Sequence, residues 1–206
     1  MKTGMKRDEK KDMTRAALTD AATALFLDKG FDAATVDEIA AKTGVSQRTF
    51  FRYFPTKFDV AFPYSKERFY EFKKIMEQHA GTGKPFSAVR SAMLTFATYF
   101  RDHGERMEIE YRMIQRSTAL FARDMEIDHQ YEVMIASEFE RSTFSPTEAR
   151  IIASAVFGGV GSAVAEWVKS GRKQELVEIG MPLLKLLDIL EAAFTVDGSS
   201  SSQGRR

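Results

Sequence analysis

The sequence predicts an all-α protein, and three observations lead to that prediction. Apolar residues recur at three- and four-residue spacing along most of the 206 residues, as they do on one face of a helix. We find no alternating run of Val, Ile and Thr between hairpin turns, which strands would require. Gly and Pro, the residues that most often interrupt helices, number only 13 and 5. Because 44% of the residues are hydrophobic, the chain can bury the core of one large domain or two small ones.

The first element that the pattern predicts is a helix from Thr14, which ends at Gly30. Phe31 follows directly and is expected to pack back on Phe26. Residues 1–12, which precede the helix, are polar and charged, and we predict a disordered basic arm there.

Two short helices come next. Thr35 and Glu38 have the spacing of a capping box, which starts the second helix. Gly44 is placed to make a turn after it, and Ser46 is a good N-cap for a third helix that runs to about Phe54.

The rest of the chain is predicted to be helical as well. A fourth helix over residues 56–79 contains Pro63, which should kink it because proline removes a hydrogen bond and clashes with the preceding turn. Ser145 and Glu148 form another capping box, and Pro182 is expected to split or bend the last helix. The later helices are predicted at about 86–103, 105–115, 118–142, 146–170 and 174–195, and residues 197–206 as a disordered tail.

The composition excludes several functions. Lys and Arg total 30 against 29 Asp and Glu, so nucleic-acid binding would need a local basic patch. The absence of Cys excludes disulfides, thiolate zinc sites, iron–sulfur clusters and cysteine nucleophiles. With three His and no metal-binding spacing, we expect no cofactor, no metal and no enzyme activity. No apolar run reaches the roughly 18 residues of a membrane span, so we expect a cytoplasmic protein without membrane contact.

The stretch from Thr35 to Tyr53 has helix-turn-helix organisation, since two short helices meet at a Gly-centred turn. Its second helix would expose an amide, guanidinium groups, a hydroxyl and aromatic edges, which are the groups that read major-groove base edges and thymine methyls or hold phosphates. The candidate DNA-binding residues are Thr35, Ser46, Gln47, Arg48, Thr49, Phe51, Arg52, Tyr53 and Lys57.

Charge favours DNA as the partner of this stretch. No acidic residue occurs between Glu38 and Asp59, whereas four basic residues do: Lys42, Arg48, Arg52 and Lys57. An ordinary solvated helical hairpin with basic residues by chance would give the same pattern, so both interpretations stay open at this point.

Residues 13–60 resemble the tetracycline-repressor (TetR) family of bacterial regulators. The resemblance rests on motifs whose order and spacing are specific: Asp28-Lys29-Gly30-Phe31, Ala34-Thr35-Val36, Ile39-Ala40, Gly44-Val45-Ser46, Thr49-Phe50-Phe51, Tyr53-Phe54 and Lys57. One position departs from the pattern, because many members carry Tyr where this chain has Phe51. Phe keeps an apolar contact to a thymine methyl but has no hydroxyl to give to a phosphate.

The resemblance implies an all-helical homodimer of about nine helices per chain. A three-helix DNA-binding domain would cover residues 13–56, and a ligand-binding and dimerisation domain would cover residues 57–196. Such proteins are mostly repressors that bind a double-stranded DNA operator and release it when a small ligand enters. By position, Thr35, Tyr53 and Lys57 would hold phosphates, while Gln47, Arg48 and Thr49 would face bases.

The C-terminal half is rich in Met and aromatic residues, which suit an adaptable cavity for an apolar or amphipathic effector, although plain core packing explains any one of them. The candidate lining residues are Phe69, Phe96, Tyr99, Phe100, Tyr111 and Met134. Arg112, Arg116 and Arg123 are placed either to meet an anionic head group, such as that of an acyl ligand, or simply to face solvent.

Small residues line one face of the helix predicted over 146–170: Ser154, Gly158, Gly161, Ser162 and Ala165. Gly inside a helix costs about 1 kcal/mol against Ala, so several together favour close approach of another helix. We predict a homodimer interface here, with packing inside one chain as the alternative.

Three functions remain for the whole chain. We favour a ligand-responsive DNA-binding transcriptional regulator, and the resemblance implies a repressor that a small apolar or amphipathic ligand releases from its operator. A DNA-binding architectural protein without a ligand is the alternative. An enzyme or lipid carrier with a vestigial DNA-binding end would need a catalytic constellation, and Ser162 and the glycines beside it lack the strand-to-helix context of a nucleophile or dinucleotide site.

Overall fold

The computed structural model describes the backbone of residues 2–81 and 83–200 and the side chains of residues 8–81 and 83–194. The described residues form ten α helices and no strand, which confirms the predicted all-α class. The helices are α1 (Lys2–Lys29), α2 (Val36–Lys42), α3 (Gln47–Tyr53), α4 (Lys57–Ala61), α5 (Ser65–His79), α6 (Pro85–Asp102), α7 (Gly104–Ile114), α8 (Thr118–Glu140), α9 (Pro146–Lys169) and α10 (Leu176–Ser200).

The helices belong to two compact units. Unit 1 comprises Met1–Lys66 and Ile109–Glu126, and unit 2 comprises Glu67–Glu108 and Ile127–Arg206. The N-terminal unit therefore includes a segment from the middle of the chain, whereas sequence analysis divided the chain at a single point between residues 56 and 57.

Unit 1 has a core built on the apolar stripe of α1. Leu18 and Phe26 of that stripe are buried together with Ile39 of α2 and Phe50 of α3. The Phe26 and Phe31 ring centroids lie 5.1 Å apart, so Phe31 packs back on α1 as predicted. Burial of these side chains fixes the short helices, which are too short to be stable alone.

Both ends of the chain differ from their predictions. α1 begins at Lys2 and runs through most of the predicted disordered arm, with residues 8–13 exposed. Residues 5–13 contain no Gly or Pro and include three Lys, two Met, one Arg and one Glu, all of which favour helix. At the other end α10 continues to Ser200, and the rest of the predicted tail lies outside the described residues.

Pro63 ends a helix rather than kinking one. α4 stops at Ala61 and α5 starts at Ser65, with Phe62 at φ −118° and ψ 57° between them. Proline supplies no N–H for the preceding turn and clashes with it, and here the helix breaks completely. The break adds one helix to the expected number. Pro182, in contrast, lies inside α10 without splitting it.

Unit 2 is held by aromatic contacts and by packing of α10. Phe72 of α5 lies with its ring centroid 5.1 Å from those of Phe96 and Tyr131. α10 is tied to α6 by two contacts. Arg90 Nε and Asp188 Oδ1 form an ion pair at 2.9 Å, and Glu191 accepts a hydrogen bond from the Ser87 N–H at 2.7 Å.

Candidate nucleic-acid interface

The helix-turn-helix of α2 and α3 is fixed by local hydrogen bonds. Thr35 and Glu38 form the predicted capping box at the start of α2. Gly44 has φ 68°, a left-handed conformation that glycine adopts readily, and it directs the chain into α3. Ser46 caps α3 by accepting the Thr49 N–H. The turn between the helices is therefore set by the residues that sequence analysis singled out.

One face of α3 is exposed and basic. Phe50 points into the core of unit 1 and is fully buried, which orients the rest of the helix. The residues on the opposite side of α3 are exposed: Gln47, Arg48, Phe51 and Arg52. An amide and two guanidinium groups on a helix of this kind can hydrogen-bond base edges and phosphates in a major groove.

Three predicted contact residues already have partners within the chain. The Thr35 N–H and hydroxyl both donate to the Glu38 carboxylate at 2.9 Å. The Ser46 and Thr49 hydroxyl oxygens lie 3.0 Å apart and form a hydrogen bond. These side chains order the N-terminal ends of α2 and α3, and any DNA contact they make must share or replace those bonds.

Lys57, at the start of α4, is also engaged. Its ammonium donates to the carbonyl oxygens of Phe31 at 2.8 Å and Ala34 at 3.0 Å. It also lies 4.2 Å from the centre of the Phe31 ring. Partial burial lowers the pKa of the ammonium, and the Asp32 carboxylate opposes that shift. Two of its three N–H donors are thus used inside the protein.

Tyr53 closes α3 and is only partly exposed. The Arg52 guanidinium lies 5.3 Å from the centre of its ring, a cation–π distance. Stacking in this way holds the Arg52 side chain along the helix end and orders both groups at the edge of the exposed face.

Arg15 of α1 is a structural residue that sequence analysis missed. Its guanidinium donates to the carbonyl oxygens of Tyr53 at 3.4 Å and Pro63 at 2.5 Å, and it lies 4.6 Å from the centre of the Phe54 ring. One side chain therefore joins the C-terminal end of α3 to the break between α4 and α5. The sequence shows one sign of this role: Arg15 is a charged residue about one helical turn before buried Leu18, within the apolar stripe of α1.

The junction of α7 and α8 also stabilises unit 1. The Arg116 guanidinium donates to the Leu27 carbonyl oxygen at 2.8 Å, and the Ser117 hydroxyl donates to the Asp32 carboxylate at 3.4 Å. A cation at the last turn of α1 satisfies a carbonyl that has no partner within the helix. Arg116 is thus bound to backbone here, and the predicted alternative, an anionic head group, would have to replace that contact.

Glu38 is the group whose titration the site perturbs most clearly. Hydrogen bonds from the Lys29 ammonium and from Thr35 lower its pKa from 4.5 to about 2. The ionised carboxylate therefore holds both the end of α1 and the start of α2 at neutral pH.

The residues predicted to line a ligand cavity are divided between the two units. Phe96 is buried in unit 2, with the rings of Tyr99 and Phe100 5.5 Å and 5.6 Å away. Tyr131, which sequence analysis did not select, joins this cluster and lies 5.2 Å from Phe69. Partly buried Met134 also belongs to unit 2, whereas Tyr111 belongs to unit 1.

The predicted dimer residues lie on the outside of α9. Exposed members of that set are Ser154, Gly158, Gly161 and Ser162, and Ala165 is partly buried. A Cβ atom built on Gly158 or Gly161 would meet no atom within 4 Å, so nothing in the described chain explains why these positions are small.

A helix-turn-helix with an exposed basic second helix, placed on an all-helical scaffold, defines a DNA-binding regulator. The family described as bacterial regulatory proteins, tetR family, matches residues 18–61. The HTH-type transcriptional regulator TcmR of Streptomyces glaucescens is 30% identical over 173 residues, which cover 78% of this chain and 76% of TcmR. The chain belongs to the TetR family of transcriptional regulators, which confirms the predicted family and the predicted class of function.

Two further comparisons agree with this assignment. The fatty acid metabolism regulator protein of Bacillus subtilis is 24% identical over 179 residues, 82% of this chain and 91% of that protein. SmeT of Stenotrophomonas maltophilia, solved as a complex with triclosan, has the same fold with a TM-score of 0.64 and 18% identity. The superposition covers 85% of this chain and 90% of SmeT. Both relatives are named as regulators, TcmR of transcription and the Bacillus subtilis protein of fatty acid metabolism.

Proposed function

We propose that this protein is a cytoplasmic, homodimeric repressor that leaves its operator when a small apolar or amphipathic ligand binds. The single observation that carries DNA binding is the exposed face of α3, on which Gln47 and Arg48 have no role in the core. Each chain of a dimer would place one α3 in a major groove, and the two half-sites would lie about 34 Å apart.

Homodimerisation rests on the outer surface of α9 and α10. These helices expose large apolar side chains: Ile151, Met181, Leu186, Ile189 and Phe194. A Cβ atom on Gly159 would lie 3.0 Å from Leu183 of the same chain, so packing within the chain explains why this residue is small. A Cβ atom on Gly158 or Gly161 would have no such contact within 4 Å. Two copies that pack through these helices would bury the apolar surface and bring backbones close at the glycines.

α9 is also long and apolar enough to cross a membrane by length and composition, with 28% of its apolar window buried. We assign its exposed part to a second subunit rather than to lipid. The relatives of this chain are transcriptional regulators, and α9 is joined to α10 within a helical unit.

Ligand binding rests on the aromatic cluster of unit 2. Tyr131 lies at its centre, with ring contacts to Phe69, Phe72, Phe96 and Phe157 at 5.1–6.3 Å. Aromatic and Met side chains are the common lining of small-molecule sites. The names of two similar proteins refer to fatty acid metabolism and to triclosan, both of which are consistent with a largely apolar effector.

Release of the operator needs only a modest difference between the ligand's affinities for the two conformations of the protein. A ligand that binds the non-operator conformation about 1–3 kcal/mol more tightly than the operator conformation lowers operator affinity five- to 150-fold. Filling of the aromatic cluster by a ligand would shift the helices that carry it, and the two copies of α3 would then no longer match successive major grooves.

The experiment begins with selection of duplexes from a random DNA library by the full chain. Selected DNA should contain two related half-sites, and sedimentation should give a dimer on one duplex. Free long-chain fatty acids, acyl thioesters and chlorinated phenols are then screened by thermal shift. At least one class should both raise the melting temperature and release the duplex. If the chain binds DNA but no compound does both, the architectural protein without a ligand becomes the better assignment.

A further inference from the structure

A buried arginine lies beside the aromatic cluster of unit 2. Arg68 of α5 is only 8% exposed, and Phe72, four residues later on the same face of that helix, is buried as well. Four helical residues advance about 6 Å, so the two positions are neighbours along α5. The Phe72 ring centroid is in turn 5.1 Å from those of Phe96 and Tyr131. The cluster therefore has a cation at one end of a mainly apolar surface.

The contact of Arg68 with Met107 is a weak hydrogen bond. Arg68 Nη1 donates to Met107 Sδ at 3.2 Å, and both side chains are buried. A thioether is a weak acceptor, whereas a guanidinium is always charged. Hydrogen bonds from a guanidinium to an ionised oxygen are shorter and roughly twice as strong as neutral ones. An anionic oxygen that reached this point would therefore replace the sulfur as the acceptor of the Nη1 N–H.

The edge of the aromatic cluster is partly open to solvent. Phe69, which follows Arg68 on α5, is only partly buried, and so is Phe100 of α6. Both belong to the cluster, because Phe69 lies 5.2 Å from Tyr131 and Phe100 lies 5.6 Å from Phe96. A ligand that enters past Phe69 meets the buried face of α5, which carries Arg68.

We propose that Arg68 binds the head group of the effector, and that the effector is an amphiphile with an apolar body and an anionic oxygen head group. The inference rests on the proposed function, because it names the chemical class of the ligand that unit 2 would take. Sequence analysis considered Arg112, Arg116 and Arg123 for such a head group, and all three lie in unit 1. Arg68 lies in the same unit as the aromatic cluster, which the apolar body would contact.

The test compares probes that share a twelve-carbon chain and differ in the head group. Binding of dodecanoate, dodecan-1-ol and dodecyltrimethylammonium to the full chain is measured by calorimetry. The wild type should bind dodecanoate most tightly and the ammonium probe least, since a guanidinium attracts an anion and repels a cation. Hexanoate keeps the head group but lacks six methylene groups, so it should bind at least about 100-fold more weakly than dodecanoate.

Arg68→Met removes the charge and keeps a long apolar side chain. It should weaken dodecanoate binding about 10- to 150-fold, which is the equivalent of one hydrogen bond to a charged group. Dodecan-1-ol binding should change far less, and Arg68→Lys should keep part of the preference for the anion. Lys73→Met is the matched control, because it removes an exposed cation from the same helix and should leave the preference as in the wild type.

Met107→Leu tests the head-group site without a change to the arginine. The substitution nearly conserves volume, so this variant should fold even if Arg68→Met does not. It removes the sulfur that competes for the Nη1 N–H, and dodecanoate should bind at least as tightly as it does to the wild type. A selective loss of dodecanoate affinity in Met107→Leu would contradict replacement of the sulfur by the ligand.

The outcomes separate this inference from the proposed function. If the wild type binds dodecan-1-ol as tightly as dodecanoate, or if Arg68→Met keeps the wild-type preference, the head-group site is wrong and an apolar ligand remains the proposed effector. If neither these probes nor the compounds of the wider screen bind the full chain, the ligand part of the proposed function fails together with this inference, and DNA binding stands.

Discussion

The Lys57 ammonium donates to the carbonyl oxygen of Phe31 at 2.8 Å, and this contact ties the start of α4 to the loop between α1 and α2. The family resemblance implies that Lys57 also contacts a phosphate. The two roles are compatible, because an ammonium has three N–H donors and two of them reach the carbonyls of Phe31 and Ala34.

Lys57→Ala should therefore have two effects. It should lower the free energy of unfolding by roughly 1–2 kcal/mol, since two carbonyls lose a charged donor. It should also weaken DNA binding about equally on all sequences and reduce the slope of log affinity against log salt by about one. Urea unfolding and binding at several salt concentrations measure these effects. A loss of stability with an unchanged salt slope would restrict Lys57 to holding the loop.

Changes at the exposed face of α3 should alter base preference. Gln47→Ala or Arg48→Ala removes a group that can make a bidentate contact, at a cost of about 1–3 kcal/mol on the selected operator. Because both side chains are exposed, the melting temperature should stay near that of the wild type. Binding to a set of single-base operator variants is the measurement, and wild-type affinity and selectivity in both variants would contradict the assignment.

Glycine substitutions on α9 separate dimerisation from folding. Gly161→Leu has open space within one chain, so each subunit should fold, but a large side chain should wedge two subunits apart at a cost of about 1–3 kcal/mol. Sedimentation equilibrium measures the dimerisation constants of the wild type and of Gly161→Leu. Gly159→Leu is the contrasting variant, because its side chain would meet Leu183 of the same chain and should lower stability first. A fully dimeric Gly161→Leu protein would argue against this face as the interface.

Gly104 should not tolerate a side chain. A Cβ there would lie 2.8 Å from Arg172 Nη1 and 2.9 Å from Trp167 Cη2, and the buried indole has little room to move. Gly104→Ala should lower the free energy of unfolding by about 1–3 kcal/mol. Gly180→Ala, which lies inside α10 and meets nothing within 4 Å, is the matched control in thermal unfolding. Equal stability of the two variants would contradict this packing.

Loss of the Glu38 charge should have a pH-dependent effect. Because folding lowers the carboxyl pKa from 4.5 to about 2, the ionised carboxylate stabilises the fold above about pH 4.5, and that contribution disappears as pH falls towards 2. Glu38→Gln should thus melt at a lower temperature than the wild type at pH 7, with a smaller difference at pH 3. A difference that is independent of pH would assign the effect to the capping hydrogen bonds instead of the charge.

Local signals in the sequence were sufficient to predict the helix-turn-helix. The Thr35–Glu38 capping box, the turn at Gly44 and the Ser46 cap depend on residues a few positions apart, so their spacing identifies them. The same holds for Ser145 and Glu148 at the start of α9.

Contacts over long sequence separation could not be predicted in this way. The Arg15 bonds to Tyr53 and Pro63 join residues 38 and 48 positions apart, and the sequence pattern shows only a charge within an apolar stripe. The partners of the Lys57 ammonium are backbone carbonyls, which every residue has, so no residue type marks them.

The bonds from Arg116 and Ser117 to Leu27 and Asp32 have a consequence for engineered chimeric regulators. Exchange of residues 1–66 alone for those of another regulator would replace the Asp32 carboxylate and the helix end that positions the Leu27 carbonyl, while both donors would stay, since the rest of unit 1 comes from Ile109–Glu126. A transplant that changes operator specificity should therefore carry both segments, or confine itself to the exposed side chains of α3. Over evolution, the same requirement would favour joint inheritance of residues 1–66 and the α7–α8 junction over free exchange of residues 1–66 as a cassette.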